Sequence, residues 1–175
     1  VIWGREGRFV LRIPNGGGQQ GFRDLTARYL NVSESNLSAM FNGLRYEERE
    51  RFAQSYADML QSLPSYHDLK DENSYHVLFL GMCAWLSNEY EIKSNREAGK
   101  GRCDIILKAK KERLPSYVLE FKSRKEADEN GLEASARAAI DQIKARRYDI
   151  ELTGKVILVG LAHAGKEVRI VWQER

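Results

Sequence analysis

The sequence predicts an α/β fold: a mixed central β-sheet flanked by helices on both sides, with a small N-terminal helical region before it. Three observations carry this. Two stretches, Arg45–Leu63 and Leu132–Tyr148, have apolar residues at helical spacing. Short apolar runs of strand length, such as SYVLEF at 116–121 and KVILVGL at 155–161, lie between and after them. The basic turn KAKKERLP at Lys108–Pro115 joins two such runs as a hairpin, and the second long helix then crosses to a further strand. A hairpin followed by a helical crossover requires a sheet of mixed direction.

In chain order, Arg8–Ile13 reads as a short strand ending at Pro14, and Asn15–Gly21, NGGGQQG, as a loop or linker. Phe22–Leu30 reads as helical. Ser33–Gly43 forms a short helix with Ser33 or Ser35 as N-cap and Gly43 as the stop. Arg45–Leu63 turns Phe52, Tyr56, Met59, Leu60 and Leu63 to one face, and Pro64 ends it. Leu69–Tyr90 is a helix that becomes almost wholly apolar after His76, so it must be covered on more than one side. Three strands follow, at Tyr90–Lys93, Gly101–Ala109 and Ser116–Phe121. In the helix Leu132–Tyr148, Ala136, Ala139, Ile140 and Ile143 face inward. Lys155–Leu161 is a buried strand, and Lys166–Trp172 alternates and closes the sheet at its edge.

Composition bounds the function. The chain has 175 residues, enough for one domain with a sizeable core and an appendage. A net charge of +3 and a pI near 8.8 suit a polyanionic partner and equally an ordinary solvated surface. Its two cysteines, Cys83 and Cys103, form no CxxC pair, which argues against structural zinc. Cys83 lies in the apolar run Val77–Leu86, which is too short for a bilayer that needs roughly 20 residues. With no secretory signal, the expectation is a soluble intracellular protein without membrane contact. The chain lacks an initiator Met and opens in mid-strand, so it reads as a truncated piece.

Two acidic residues interrupt apolar strands: Asp104 before IIL, and Glu120 between YVL and FK. Alternate strand residues share a face, so Glu120 and Lys122 point one way and Phe121 the other. If the two strands form a hairpin, Asp104 lies near Glu120, and two carboxylates meet one ammonium. Two carboxylates make an oxygen-rich site for Mg²⁺ or Mn²⁺. Such a metal activates water and neutralises a phosphate, and Lys122 would hold the attacking water or stabilise charge in the transition state. Phe121 can lend its backbone carbonyl to the metal. The pattern D…ExK is weak alone, because a Glu and a Lys two apart on a strand are most often a solvated face.

Several motifs occur in order: ENSYHVLFLGM, SNREAGKGRCDIIL, VLEFK, AIDQIKARRY and KVILVGLAHAGKEV. Together they resemble one branch of the PD-(D/E)XK nuclease superfamily, the branch commonly found after an AAA-ATPase-like domain. The resemblance runs from about Leu37 to Val168. It implies a restriction-endonuclease-like core, with Asp104 and Glu120 as metal ligands and Lys122 as the catalytic lysine. It implies that Glu72, on the first core helix, is a further acidic residue of the site. Gln142 and Tyr148 resemble a Gln…Tyr pair of that superfamily, at a spacing longer than usual. LRIPN resembles the junction after the ATPase-like domain, so residues 1–30 are expected to be its remnant, 31–68 a helical linker region and 69–175 the nuclease core. NGGGQQG departs from that branch, and no GxxxxGK[ST] phosphate-binding loop is present.

Other polar residues have competing readings. His76 lies one turn after Glu72, a spacing that can bind metal, although such a histidine more often packs or hydrogen-bonds beside a core. His163, just past a buried strand, carries less functional signal still. Lys108, Lys110, Lys111 and Arg113 could touch a phosphate backbone or simply keep a turn soluble. Asn95, Arg96 and Arg102 flank the pocket in a Gly-rich stretch that is suited to gripping phosphates or simply keeps a loop soluble. The reading is therefore a Mg²⁺- or Mn²⁺-dependent nuclease with DNA as substrate. The alternatives are a catalytically silent relative that binds nucleic acid and a protein-interaction module of a larger protein.

Overall fold

The computed structural model describes residues 2–5, 8–11, 32–63, 69, 71–95 and 104–175. The linker at Asn15–Gly21, the helix expected at Phe22–Leu30, and Arg96, Arg102 and Cys103 lie outside them. Strands β1 (Ile2–Arg5) and β2 (Arg8–Leu11) come first. Helices α1 (Glu34–Arg45), α2 (Arg49–Ser62) and α3 (Glu72–Met82) follow, and Cys83–Leu86 continues α3 as a tighter turn. Next come β3 (Tyr90–Asn95), β4 (Asp104–Ala109) and β5 (Ser116–Ser123). Helix α4 (Glu129–Arg146), β6 (Val156–Ala164) and β7 (Glu167–Glu174) complete the chain.

The strands form one sheet in sequence order, β1 to β7. Among the described strands only β5 and β6 run parallel, joined by α4; every other neighbouring pair is antiparallel. The expected hairpin, crossover and edge strand are therefore all present. The β1–β2 hairpin continues the same sheet, with Phe9 opposite Ser94.

Strand alternation divides the core in two. Ile105, Leu107, Tyr117, Leu119 and Phe121 face the side covered by α1, α2 and α3, in one large cluster with Phe41, Phe52, Tyr56 and Phe79. Ile106 and Val118 face the other way, onto Ile140 and Ile143 of α4. Rings lock the larger side. Phe52 packs at 5.7 Å from Trp172, and Trp172 at 5.5 Å from Tyr117. The Tyr117 hydroxyl donates to the Leu44 carbonyl at 2.5 Å.

Several boundaries differ from the sequence reading, for local reasons. Ser33 is the N-cap of α1, but Gly43 does not stop it. A Cβ at Gly43 would come within 2.7–2.8 Å of the Phe52 backbone, so this glycine marks the close approach of α1 to α2. The second helix starts at Arg49 rather than Arg45, because Glu47 adopts a left-handed conformation (φ 58°) that no helix can contain. Helix α3 begins at Glu72 rather than Leu69, where the Asp71 carboxylate accepts from the Ser74 amide at 2.9 Å. The same Ser74 hydrogen bonds hold the Asp71 carboxyl below its ordinary range. Within α3, Val77 is 49 % exposed. Helix α4 ends at Arg146, with Arg147 in the left-handed cap, so Tyr148 lies in the turn beyond it. Strand β6 runs on to Ala164 and contains His163. No helix among the described residues is long and apolar enough to cross a membrane.

Gly160 on β6 decides how closely α4 lies on the sheet. A Cβ there would fall 2.0 Å from the Ala136 carbonyl oxygen. The obstruction is helix backbone, which cannot rotate away. Gly160→Ala should therefore lift α4 and destabilise the protein by about 1–3 kcal/mol or more, the usual cost of overpacking. Chemical denaturation of the two proteins measures the difference.

Candidate active site

Asp104 and Glu120 are direct partners in the β4–β5 ladder. Directly opposite positions of an antiparallel pair lie on one sheet face. That face is the one carrying Ile106 and Val118, on the side of α4. The expected proximity of the two acidic positions therefore holds at the level of register. Asn95, the last residue of β3, pairs with Asp104 from the other side, so positions 95, 104 and 120 form one row across three strands.

The Glu120 side chain is fully buried, between the apolar residues Tyr117–Leu119 and Phe121 of its strand. Its Oε1 is well supplied. Lys122 Nζ donates to it at 3.1 Å, and Gln142 Nε2 on α4 donates in a short hydrogen bond. Lys122 also donates to Gln142 Oε1 at 2.8 Å. The Gln142 amide orientation follows from these partners, since the reverse would set its NH₂ against the ammonium and its oxygen against the carboxylate. Glu72 reaches Lys122 from the N-terminus of α3, with Oε1 3.9 Å from Nζ. That distance is too long for a hydrogen bond, and Glu72 is 31 % exposed, so the pair is loose and screened. Two helices on opposite sides of the sheet thus converge on the one lysine.

The second Glu120 oxygen, Oε2, is buried and has no hydrogen-bond partner among the described residues. Leaving a buried acceptor unmatched costs about 1–3 kcal/mol, and more when it is charged. Among the described residues no three His, Cys, Asp or Glu groups gather as a ready cluster. The donor set that fits a hard cation is this open carboxylate oxygen together with the aspartate position opposite it.

A family model of the PD-(D/E)XK nuclease superfamily matches residues 70–173, more than half of the chain. The chain belongs to the PD-(D/E)XK nuclease superfamily. No curated protein matches it. The mixed sheet with helices on both faces is the restriction-endonuclease-like architecture of that superfamily. Its members generally act on nucleic acid with a divalent metal.

The remaining predicted residues fall in different places in this superfamily fold. The Phe121 side chain faces the opposite core from Glu120. Tyr148 packs at the margin of the α4-side cluster, with its hydroxyl 3.1 Å from Arg146 Nη1. Glu72 and His76 share a helix but take different partners. His76 is buried, shares a 3.0 Å hydrogen bond with Ser94 and packs beside Phe121.

Sequence reasoning missed two residues that shape the site. Gly160 is the β6 partner of Glu120, and its bare Cα lets α4 bring Gln142 onto the carboxylate. A glycine inside the apolar run VILVGLAHA is the signal that could have shown it. The other is His163, fully buried directly behind Lys122. Its Nδ1 lies 3.3 Å from the Lys122 carbonyl and its Nε2 2.9 Å from the Tyr56 hydroxyl. Burial pushes the His163 pKa down to about 3.

That shift has a sign that stability measurements can read. Between pH 6.5 and 3 the unfolded chain takes up a proton at His163 that the folded chain refuses. The His163 contribution is intact above pH 6.5 and is lost as pH falls through that window, at up to about 1.4 kcal/mol per pH unit. His163→Asn removes this proton uptake. Its stability should fall less steeply than the wild type's between pH 6.5 and 4, as measured by denaturant titration.

Proposed function

We propose that the protein is a nuclease that hydrolyses phosphodiester bonds in DNA with Mg²⁺ or Mn²⁺. One observation carries this reading. A fully buried carboxylate, Glu120, has one oxygen without a partner among the described residues, beside the position of Asp104, with the Lys122 ammonium on its other oxygen.

In this reading Asp104, Glu120 and the Phe121 carbonyl hold the cation. A divalent ion held there lowers the pKa of bound water and offsets charge on the phosphate. The chain's own groups do the rest. Lys122 has three protons to donate, and two are committed to Glu120 and Gln142. Among the described residues the third has only the loose Glu72 contact, so it is available to a water or a phosphate oxygen. Gln142 accepts from the ammonium and donates to the carboxylate, so it holds the two in a fixed relation. Glu72 can orient a water on the exposed side of the lysine. Asn95, Arg96, Arg102 and Tyr148 are assigned to the nucleic acid. Support comes from Asn95 standing opposite Asp104, and from the two arginines flanking that pair in sequence. The substrate is taken as DNA on the family membership and the mildly basic charge. Residues 1–30 are assigned to the junction with a preceding ATPase-like domain, 31–68 to a helical region and 69–175 to the nuclease core.

Lys122→Ala should lower cleavage roughly 10²–10³-fold, as removal of a transition-state charge partner does elsewhere. It should leave Mn²⁺ affinity nearly unchanged. Asp104→Ala should lose both cleavage and Mn²⁺ affinity, because it removes a ligand. Plasmid, linear and single-stranded DNA are incubated with Mg²⁺, Mn²⁺ or EDTA, beside calorimetric Mn²⁺ titration of each variant. No cleavage by the wild type under either metal, or cleavage by Lys122→Ala at the wild-type rate, would overturn the reading.

A further inference from the structure

We propose that Tyr56 and His163 are positioning residues for Lys122: they fix one imidazole tautomer, which in turn holds the lysine's own peptide group. The inference rests on the assignment of Lys122 to catalysis. Lys122 sits where β5 stops being fully buried and turns half-exposed, so its backbone needs an anchor on the inner side. The His163 ring supplies it, 3.3 Å from the Lys122 carbonyl.

A carbonyl oxygen can only accept, so the ring must carry its proton on Nδ1. The neutral ring then has Nε2 free to accept, and the Tyr56 hydroxyl donates to it at 2.9 Å. Burial raises the Tyr56 phenol above its ordinary range, which keeps that proton in place. The ring cannot swing away. It stacks on Tyr75 at 3.9 Å and 17°, and on Phe121 at 6.0 Å and 18°. The Tyr75 hydroxyl donates to the Gly165 carbonyl at 2.7 Å, and the Arg124 amide to the His163 carbonyl at 2.8 Å. The end of β5 is therefore held from both sides of His163, by ring and by backbone.

This matters because Lys122 carries its ammonium at the tip of a long side chain. A shift of about 1 Å in a reacting group can cost about 10²-fold in rate. Tyr56 belongs to α2, ahead of the residues the superfamily model matches, so the positioning reaches the site from outside that span.

The test uses the full chain. ¹⁵N-histidine spectra of the wild type should show His163 protonated at Nδ1 and bare at Nε2, without metal or DNA. In Tyr56→Phe the proton should stay on Nδ1, held by the Lys122 carbonyl, while Nε2 loses its donor and its signal moves toward that of an unbonded acceptor; kcat should fall about tenfold at unchanged KM, short of the about 10²-fold cost of full misplacement. Two substitutions then separate positioning from packing. His163→Asn keeps an amide donor where Nδ1 stood, and His163→Gln keeps an acceptor where Nε2 stood but gives Lys122 no donor. Both should lose similar thermal stability, and His163→Asn should recover most of the kcat that His163→Gln loses. A wild-type spectrum with the proton on Nε2 overturns the proposal whatever the activity. Equal kcat for Asn and Gln variants of equal stability overturns it while leaving the nuclease reading intact. A wild type that cuts nothing removes the nuclease reading first, and this role with it.

Discussion

Glu120 lies in the middle of a buried strand with its carboxylate wholly out of water. Taking an ionised carboxylate from water into protein costs several kcal/mol, which is recovered only if partners are held in good geometry. Much of the surrounding architecture serves that requirement. The ammonium two residues along the same strand lies on the same face, so alternation alone delivers one partner. Gln142 has to arrive from another element, and the route is the α4 crossover between β5 and β6. The helix can come that close because the inward residues it sets against Gly160 are Ala136 and Ala139. One small residue on β6 and two on α4 thus set the distance at which a buried charge is matched.

Among the described residues the matching is incomplete. Oε1 takes two donors while Oε2 takes none among the described residues. A fold selected for stability alone would satisfy both oxygens or replace the group with an apolar one. Retaining a half-satisfied carboxylate in the core is understandable when the open oxygen has a ligand to bind. Functional sites commonly keep such local costs, compensated by well-packed surroundings. The surroundings here are of that kind: the opposite face of β5 presents Tyr117, Leu119 and Phe121 to a continuous aromatic and aliphatic core.

Much of this was legible in the sequence, and the reasons are physical. Alternation fixes Glu120 and Lys122 on one face whatever the rest of the fold does. The hairpin turn then brings Asp104 opposite Glu120. Helix α4 was legible because Ala136, Ala139, Ile140 and Ile143 repeat at helical spacing. The break between α1 and α2 was not, because it depends on Glu47, a residue with no special tolerance for the left-handed conformation it adopts. Tertiary contacts impose that turn, and propensity cannot foresee them. Tyr56 and His163 were invisible for a related reason. They stand 107 positions apart, and each reads alone as an ordinary buried aromatic. What makes them a unit is a hydrogen bond between elements on different layers. The single-residue signal that did exist, glycine within VILVGLAHA, shows a close approach but not what approaches.

The helical pair α1–α2 belongs to the same physical unit as the sheet. The family model begins at residue 70, yet the apolar core does not respect that line. Leu37, Met40, Phe41, Phe52, Tyr56 and Met59 are all fully buried in the cluster that contains Tyr117, Leu119 and Phe121. Burying a large apolar side chain contributes about 1.5–3 kcal/mol, so these six together are worth on the order of 10 kcal/mol. That is comparable with the entire net stability of a typical domain. The β5 face behind Glu120 and Lys122 is covered in large part by residues upstream of the matched span. The sheet that carries the carboxylate therefore depends on the helical pair for its inner cover, and the helical pair reaches Lys122 directly through Tyr56 and His163. The family model spans the chemistry-bearing motifs, whereas the physical unit extends to whatever keeps water away from the back of the strand.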